Sequence, residues 1–180
     1  MSTRRTQLEL PETKPATELI DGRLVQKLGG NLRHQALELR WTLAIRAWCG
    51  DTGDAIHECR HEFRAPGHSF ASLVPDIAYL SRESLDELGP AASEAPPRTP
   101  EIAVEILSAS EPEQDFTWKI GAYLGAGTRV VFVVDPPKRT VVAHARDGVQ
   151  RFGPGDVVRH ATMVGFEHAV DAMFEGLYLG

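Results

Sequence analysis

The run from Glu101 to Pro136 constrains the fold more than any other part of the chain. Two apolar, β-branched segments, "EIAVEILSAS" and "RVVFVVDP", flank a segment of helix length, "EPEQDFTWKIGAYLGAG". Apolar runs that do not alternate with polar residues suit strands covered on both faces, so the pattern predicts strand, crossover helix, strand. The glycines of "GAGT", residues 125–128, read as the capped end of that helix. No Lys-Ser/Thr pair follows them, so they are not a phosphate loop.

Inside the first apolar run sits Glu105, preceded by Ile102, Ala103 and Val104 and followed by Ile106 and Leu107. An ionised carboxylate in such a place costs several kcal/mol unless it is paired or bound to a metal. Asp76, between Pro75 and "IAYL", is a second acid entering an apolar strand. If the two strands are neighbours, about 4.8 Å apart, both carboxylates can reach one hard divalent cation at about 2.1 Å. An arginine or a backbone amide near each strand end would satisfy the acids equally well.

Elsewhere the elements are short. Residues 1–15 are polar with two prolines and read as a loose arm with at most a helical turn. "ELIDGRLVQKL" predicts two extended pieces around Asp21–Gly22. After Gly29–Gly30, Asn31 can cap a helix whose apolar face comprises Leu32, Ala36, Leu39, Leu43, Trp41, Ile45 and Trp48, ended by Gly50. "SLDEL" opens on a capping-box pair, Ser84 and Glu87, and residues 89–100 read as a Pro/Ala/Ser-rich surface excursion. Beyond residue 139, the pattern is a hairpin turning at Asp147–Gly148 and further short extended pieces.

Two short motifs point elsewhere and fail on their context. "HECRH", residues 57–61, satisfies HExxH, which holds zinc only on a helix. From Ala55 to Ala65, however, charge and polarity alternate with a period of two, which predicts a single half-exposed strand and sets the two histidines about 13 Å apart. "GHSFA" approaches the nucleophile elbow, but a strand-like segment follows where a helix is needed, leaving Ser69 a loop serine.

With 180 residues and 42% apolar composition, the chain suits one domain, taken as 16–180 behind the arm. A net charge of −6 argues against coating nucleic acid by bulk electrostatics, though an acidic metal site can coexist with a local basic patch. No apolar run is long enough to span a bilayer, and the first residues lack the hydrophobic region of a signal peptide, so a cytoplasmic location without membrane contact is expected. Cys49 and Cys59 have no ligand-like spacing and read as free thiols.

One ordered set of segments runs through the chain: "ELIDGRLV", a helix with an early histidine (His34), "PDIAYL", "PEIAVEILSAS", a helix bearing Lys119 and Tyr123, "GAGTRVVFVVDP" and "VGFEHAVDAMF". Over about residues 15–175 it resembles the putative restriction endonuclease family of Uma type, a branch of the PD-(D/E)XK nuclease superfamily. The resemblance implies an α/β (α+β) restriction-endonuclease-like core, a mixed central β-sheet flanked by helices. It also implies Mg²⁺ or Mn²⁺ and hydrolysis of nucleic-acid phosphodiesters, DNA first, with a homodimer as an option. On that pattern Asp76 and Glu105 resemble the metal-binding acids and Glu18 an additional acid. Lys119 resembles a catalytic lysine displaced from its usual strand position, where Leu107 stands here. Ala109 and Phe132 depart from a usual Pro and Trp. His34 fits either a phosphate contact or a structural role. A nuclease-fold protein that binds nucleic acid or a protein partner without cutting is the alternative. On the helical wheel Phe116, Ile120, Tyr123 and Leu124 make the stripe expected to face the sheet, with Lys119 at its border.

Overall fold

The computed structural model describes residues 13–27, 29–89, 95–108 and 112–177. The expected arm lies outside them up to residue 12, as do residues 90–94 of the surface excursion and Ala109. Asp21 and Gly22 adopt positive φ of 48° and 75°, and the turn joins β1 (Thr17–Ile20) to β2 (Arg23–Gln26) as an antiparallel hairpin. Asn31 caps α1 (Leu32–Cys49), its Oδ1 accepting from the His34 amide, and Gly50 ends the helix.

Glu101–Pro136 folds as its pattern requires. Strand β7 (Ile102–Ile106) is buried at every position, and β8 (Val130–Asp135) pairs with it in parallel after helix α3 (Glu113–Ala126), which Gly127 ends in the left-handed region. Antiparallel neighbours extend both sides. The six-stranded sheet runs β10 (Gly148–Phe152), β9 (Thr140–Ala145), β8, β7, β6 (Ile77–Ser81), β3 (Gly53–His57). A second sheet has the order β2, β1, β5 (Phe70–Leu73), β4 (His61–Arg64).

Period-two alternation assigns the faces of the larger sheet. Ile102, Val104, Ile106, Val130, Phe132 and Val134 pack with Leu37, Trp41 and Ile45 of α1. Trp41 lies 5.2 Å from Phe132 between ring centroids, and the C-terminal segment with Met163, Phe166 and α4 (Val170–Phe174) closes this layer. Ala103, Val131 and Val133 face the other way, toward Tyr123 and Ala122 of α3 and toward Ile20, Phe63 and Leu73 of the smaller sheet. Glu105 has the parity of Ala103, so its side chain enters the layer between the large sheet, α3 and the small sheet.

Several expectations need correction. In α1 the buried face is Leu37, Trp41, Thr42, Ile45 and Cys49, whereas Leu32, Leu39 and Leu43 are 83%, 55% and 58% exposed. In α3 the inward residues are Asp115, Lys119, Ala122 and Tyr123, so Lys119 sits within the buried face rather than at its border. The stretch from Ala55 to Ala65 is two strands in different sheets, broken where Glu58 takes a φ of 43°. Helix α2 (Arg82–Leu88) is capped by Ser81, three residues before the expected Ser84. The late hairpin turns at Arg146–Asp147, with Gly148 opening β10. The final extended pieces are the two-residue strands β11 (Val157–Val158) and β12 (His168–Ala169), followed by the helix α4. Pro96, Thr99 and Pro100 of the excursion are buried, and Thr99 and Thr128 share a hydroxyl–hydroxyl bond beneath it.

Candidate active site

Two antiparallel pairings create the site. Ile77 opposes Val104 across β6 and β7, so Asp76, one residue before β6, stands beside Glu105, one residue further along β7. Leu19 of β1 opposes Ser72 of β5, which carries Glu18 toward the same segment, where its Oε1 accepts from the Val74 amide at 2.7 Å. Asp76 Oδ2 accepts from the Ile106 amide at 2.6 Å. Glu18, Asp76 and Glu105 are 2%, 2% and 3% exposed, so three carboxylates are buried within one cluster.

Two lysines meet them. Lys119 of α3 donates from Nζ to Glu105 Oε2 at 3.1 Å and lies 3.3 Å from Glu18 Oε2, while the Tyr123 hydroxyl donates to Glu105 Oε1 at 3.0 Å. Lys27, just past β2, donates to Asp76 Oδ1 at 2.6 Å and to the Val74 carbonyl at 2.7 Å. In the first turns of α1, His34 Nε2 is 3.2 Å from Asp76 Oδ1 and 3.3 Å from Glu38 Oε1. A cavity of about 190 Å³ opens onto this cluster, lined among others by Glu18, Lys27, His34, Asp76, Glu105 and Ser108. Lys119 lies behind the acids, outside that lining.

The four residues expected from the sequence therefore come together: Glu18, Asp76, Glu105 and Lys119. Lys27 and Glu38 were missed. Lys27 reaches the site only because β1 pairs with β5, a long-range event with no local signature. His34 and Glu38 are four apart on one helix, a spacing visible in the sequence.

The environment separates the two strand acids. Burial alone would raise the Asp76 carboxyl, but Lys27 and His34 outweigh it and hold Asp76 well below the usual carboxylate range. Burial pushes Glu105 up to about 7 against the pull of Lys119 and Lys27. Burial disfavours the charged His34 ring, yet its bonds to Asp76 and Glu38 raise it to about 10. The Tyr123 phenol is likewise raised by burial and by Glu105. Such opposed shifts arise where burial and specific charge partners meet, in functional clusters and in structural ion-pair networks alike.

Carboxylate oxygen from separate elements around one cavity is the donor type a hard divalent cation takes, and two ammonium groups already gather there. The donor atoms that lie within 4.8 Å of one another are those of His34, Glu38 and Asp76. The HExxH residues lie elsewhere. His57 Nε2 meets Thr42 Oγ1 and His61 Nδ1 meets the Arg98 carbonyl, on strands of different sheets.

The profile of the Uma2 family, described as putative restriction endonuclease, matches residues 5–171. The chain belongs to this family. A solved structure described as a putative nuclease from Anabaena variabilis superposes with a TM-score of 0.80 at 25% identity, covering 93% of this chain and 94% of that one. No curated protein matches the chain. The family and the nuclease fold support a nuclease function, with nucleic acid as the substrate class. Among the described residues, no helix is long and apolar enough to cross a membrane.

Proposed function

We propose that this domain, residues 16–180, is a cytoplasmic endonuclease that hydrolyses nucleic-acid phosphodiester bonds with Mg²⁺ or Mn²⁺, with DNA as the first substrate to test. The observation that carries this reading is the convergence of Asp76 and Glu105 on one cavity, joined by Glu18 and by two lysine ammonium groups. Asp76, Glu105 and Glu18 would hold the cation. When bound, a divalent ion supplies Lewis acidity, polarising a phosphoryl oxygen and making water a better nucleophile.

The chain's own groups divide the remaining work. Lys119 and Tyr123 fix both oxygens of Glu105, and Glu18 ties Lys119 to the Val74 amide, so the acids are held in place before substrate arrives. Lys27 lines the cavity and offers its ammonium to the scissile phosphate, compensating charge that develops on the phosphoryl oxygens. In this reading Lys119 positions the acids and Lys27 contacts the substrate.

Incubating the protein with single- and double-stranded DNA and RNA, each with Mg²⁺, Mn²⁺ or EDTA, tests the proposal. Metal-dependent cleavage of any of the four supports it. Binding without cleavage under every metal condition would favour the non-cutting reading of the same fold.

A further inference from the structure

We propose that His34 and Glu38 complete the cation site from the side of α1, giving it an imidazole nitrogen and with it a preference for Mn²⁺ over Mg²⁺. The inference rests on the reading of Asp76 as a metal-holding acid. It adds donors from a different element and names the class of ion.

The geometry is that of ligands sharing one centre. One donor atom from each of His34, Glu38 and Asp76 lies within 4.8 Å of the others, and the imidazole nitrogen is 3.2 Å from Asp76 Oδ1 and 3.3 Å from Glu38 Oε1. Neighbouring donors around an octahedral ion with bonds of about 2.2 Å stand about 3.1 Å apart. The three side chains are only 15%, 14% and 2% exposed, so the donor atoms are held away from bulk water. Local structure fixes the ring. Asn31 anchors the start of α1 through the His34 amide, and a Cβ at Gly30 would come within 3.0 Å of His34 Cδ2.

Charge points the same way. Glu18, Glu38, Asp76 and Glu105 are four carboxylates, and Lys27 and Lys119 are two ammonium groups. Two negative charges remain when His34 serves as a neutral ligand, which is the charge of one divalent ion. Mg²⁺ demands a near-ideal oxygen shell and keeps its waters, whereas Mn²⁺ shares its affinity for carboxylate but, as a first-row transition ion, tolerates a nitrogen donor among the oxygens. A mixed nitrogen and carboxylate set therefore selects within the pair Mg²⁺ and Mn²⁺. The competing arrangement with the same distances is an imidazolium bridging two carboxylates with no ion.

Electron spin-echo envelope modulation on the full chain loaded with substoichiometric Mn²⁺ separates these states, because it reads nitrogen bound directly to the ion. The wild type should show imidazole nitrogen modulation, His34→Gln should lose it, and Glu38→Gln should keep it. By calorimetric titration, both variants should bind Mn²⁺ at least about ten-fold more weakly, with a smaller change for Mg²⁺ in His34→Gln. Mn²⁺ bound to the wild type without nitrogen modulation would overturn the inference and leave the acid site standing. Modulation that persists in His34→Gln would overturn it too. Failure of the wild type to bind Mn²⁺ at all would overturn the underlying assignment of Asp76. If His34→Gln does not fold, the wild-type spectrum and Glu38→Gln still decide.

Discussion

Lys27 Nζ stands 2.6 Å from Asp76 Oδ1 with its side chain 14% exposed at the cavity, whereas Lys119, 1% exposed, is bonded to Glu105 and Glu18 behind it. The two lysines should therefore fail differently when removed. Lys27→Met should lower the cleavage rate at saturating metal by about 10²-fold, the usual cost of one lost charge-stabilising donor. Rate measurements on folded variant protein check this. A Lys27→Met protein that cuts as fast as wild type would remove Lys27 from contact with the substrate.

Lys119→Met should act mainly on stability. Removing one partner of a buried ion pair strands the other and typically costs about 3–5 kcal/mol. Pairing it with Glu105→Gln removes part of that stranded charge. In urea unfolding the double variant should be at least about 0.5 kcal/mol more stable than the sum of the single changes implies. Strict additivity would mean that the two groups are not coupled.

The acid sensitivity of the fold should trace in part to His61. Burial lowers this imidazole to about 4 from its ordinary 6.5, with Nδ1 bonded to the Arg98 carbonyl. The unfolded chain thus takes up the proton at a higher pH than the folded one. The contribution is fully present above pH 6.5 and is lost progressively as pH falls toward 4, by on the order of 3 kcal/mol. His61→Asn keeps an amide donor near the Nδ1 position and cannot titrate there. Its stability should fall less steeply between pH 6.5 and 4, whatever its stability at neutral pH; an unchanged slope would refute the assignment.

Much of the fold was legible because its signals are local. The strand, helix, strand run at 101–136 carries its own pattern, and the Asp21–Gly22 turn and the Asn31 cap are set by a few neighbouring residues. Asp76 and Glu105 were legible because carboxylates inside apolar strands demand partners, whereas Glu18 and Lys119 were reached only through the family resemblance. What failed was the orientation of amphipathic helices. On α1 the expected face was too broad: Trp41 and Ile45 are buried as expected, but Leu32, Leu39 and Leu43 are exposed and Leu37 is buried instead, with Trp41 meeting Phe132 and Phe166. The break at Glu58 was hidden because alternation continues across it, with Ala55 buried in one sheet and His61, Phe63 and Ala65 on the far side of the break. Lys27 was hidden because its role depends on which strands pair.

The corrected α1 face has its own test. Leu37 is fully buried and Leu39 is 55% exposed. Leu37→Ala should cost about 2–5 kcal/mol, whereas Leu39→Ala should stay within about 0.5 kcal/mol of wild type. Equal losses in thermal or urea unfolding would restore the broader apolar face.

Cleavage of labelled DNA by wild type and by Asp76→Asn, each with Mn²⁺ and with EDTA, tests the central claim most directly. Asp76→Asn keeps the size of the side chain and an oxygen for the Ile106 amide, and removes the charge that meets Lys27 and His34. A metal-dependent nuclease built on this acid predicts products only in the wild type with Mn²⁺, and a loss of at least about 10²-fold in the variant. Cleavage that survives EDTA, or that the variant performs as fast as the wild type, would contradict it.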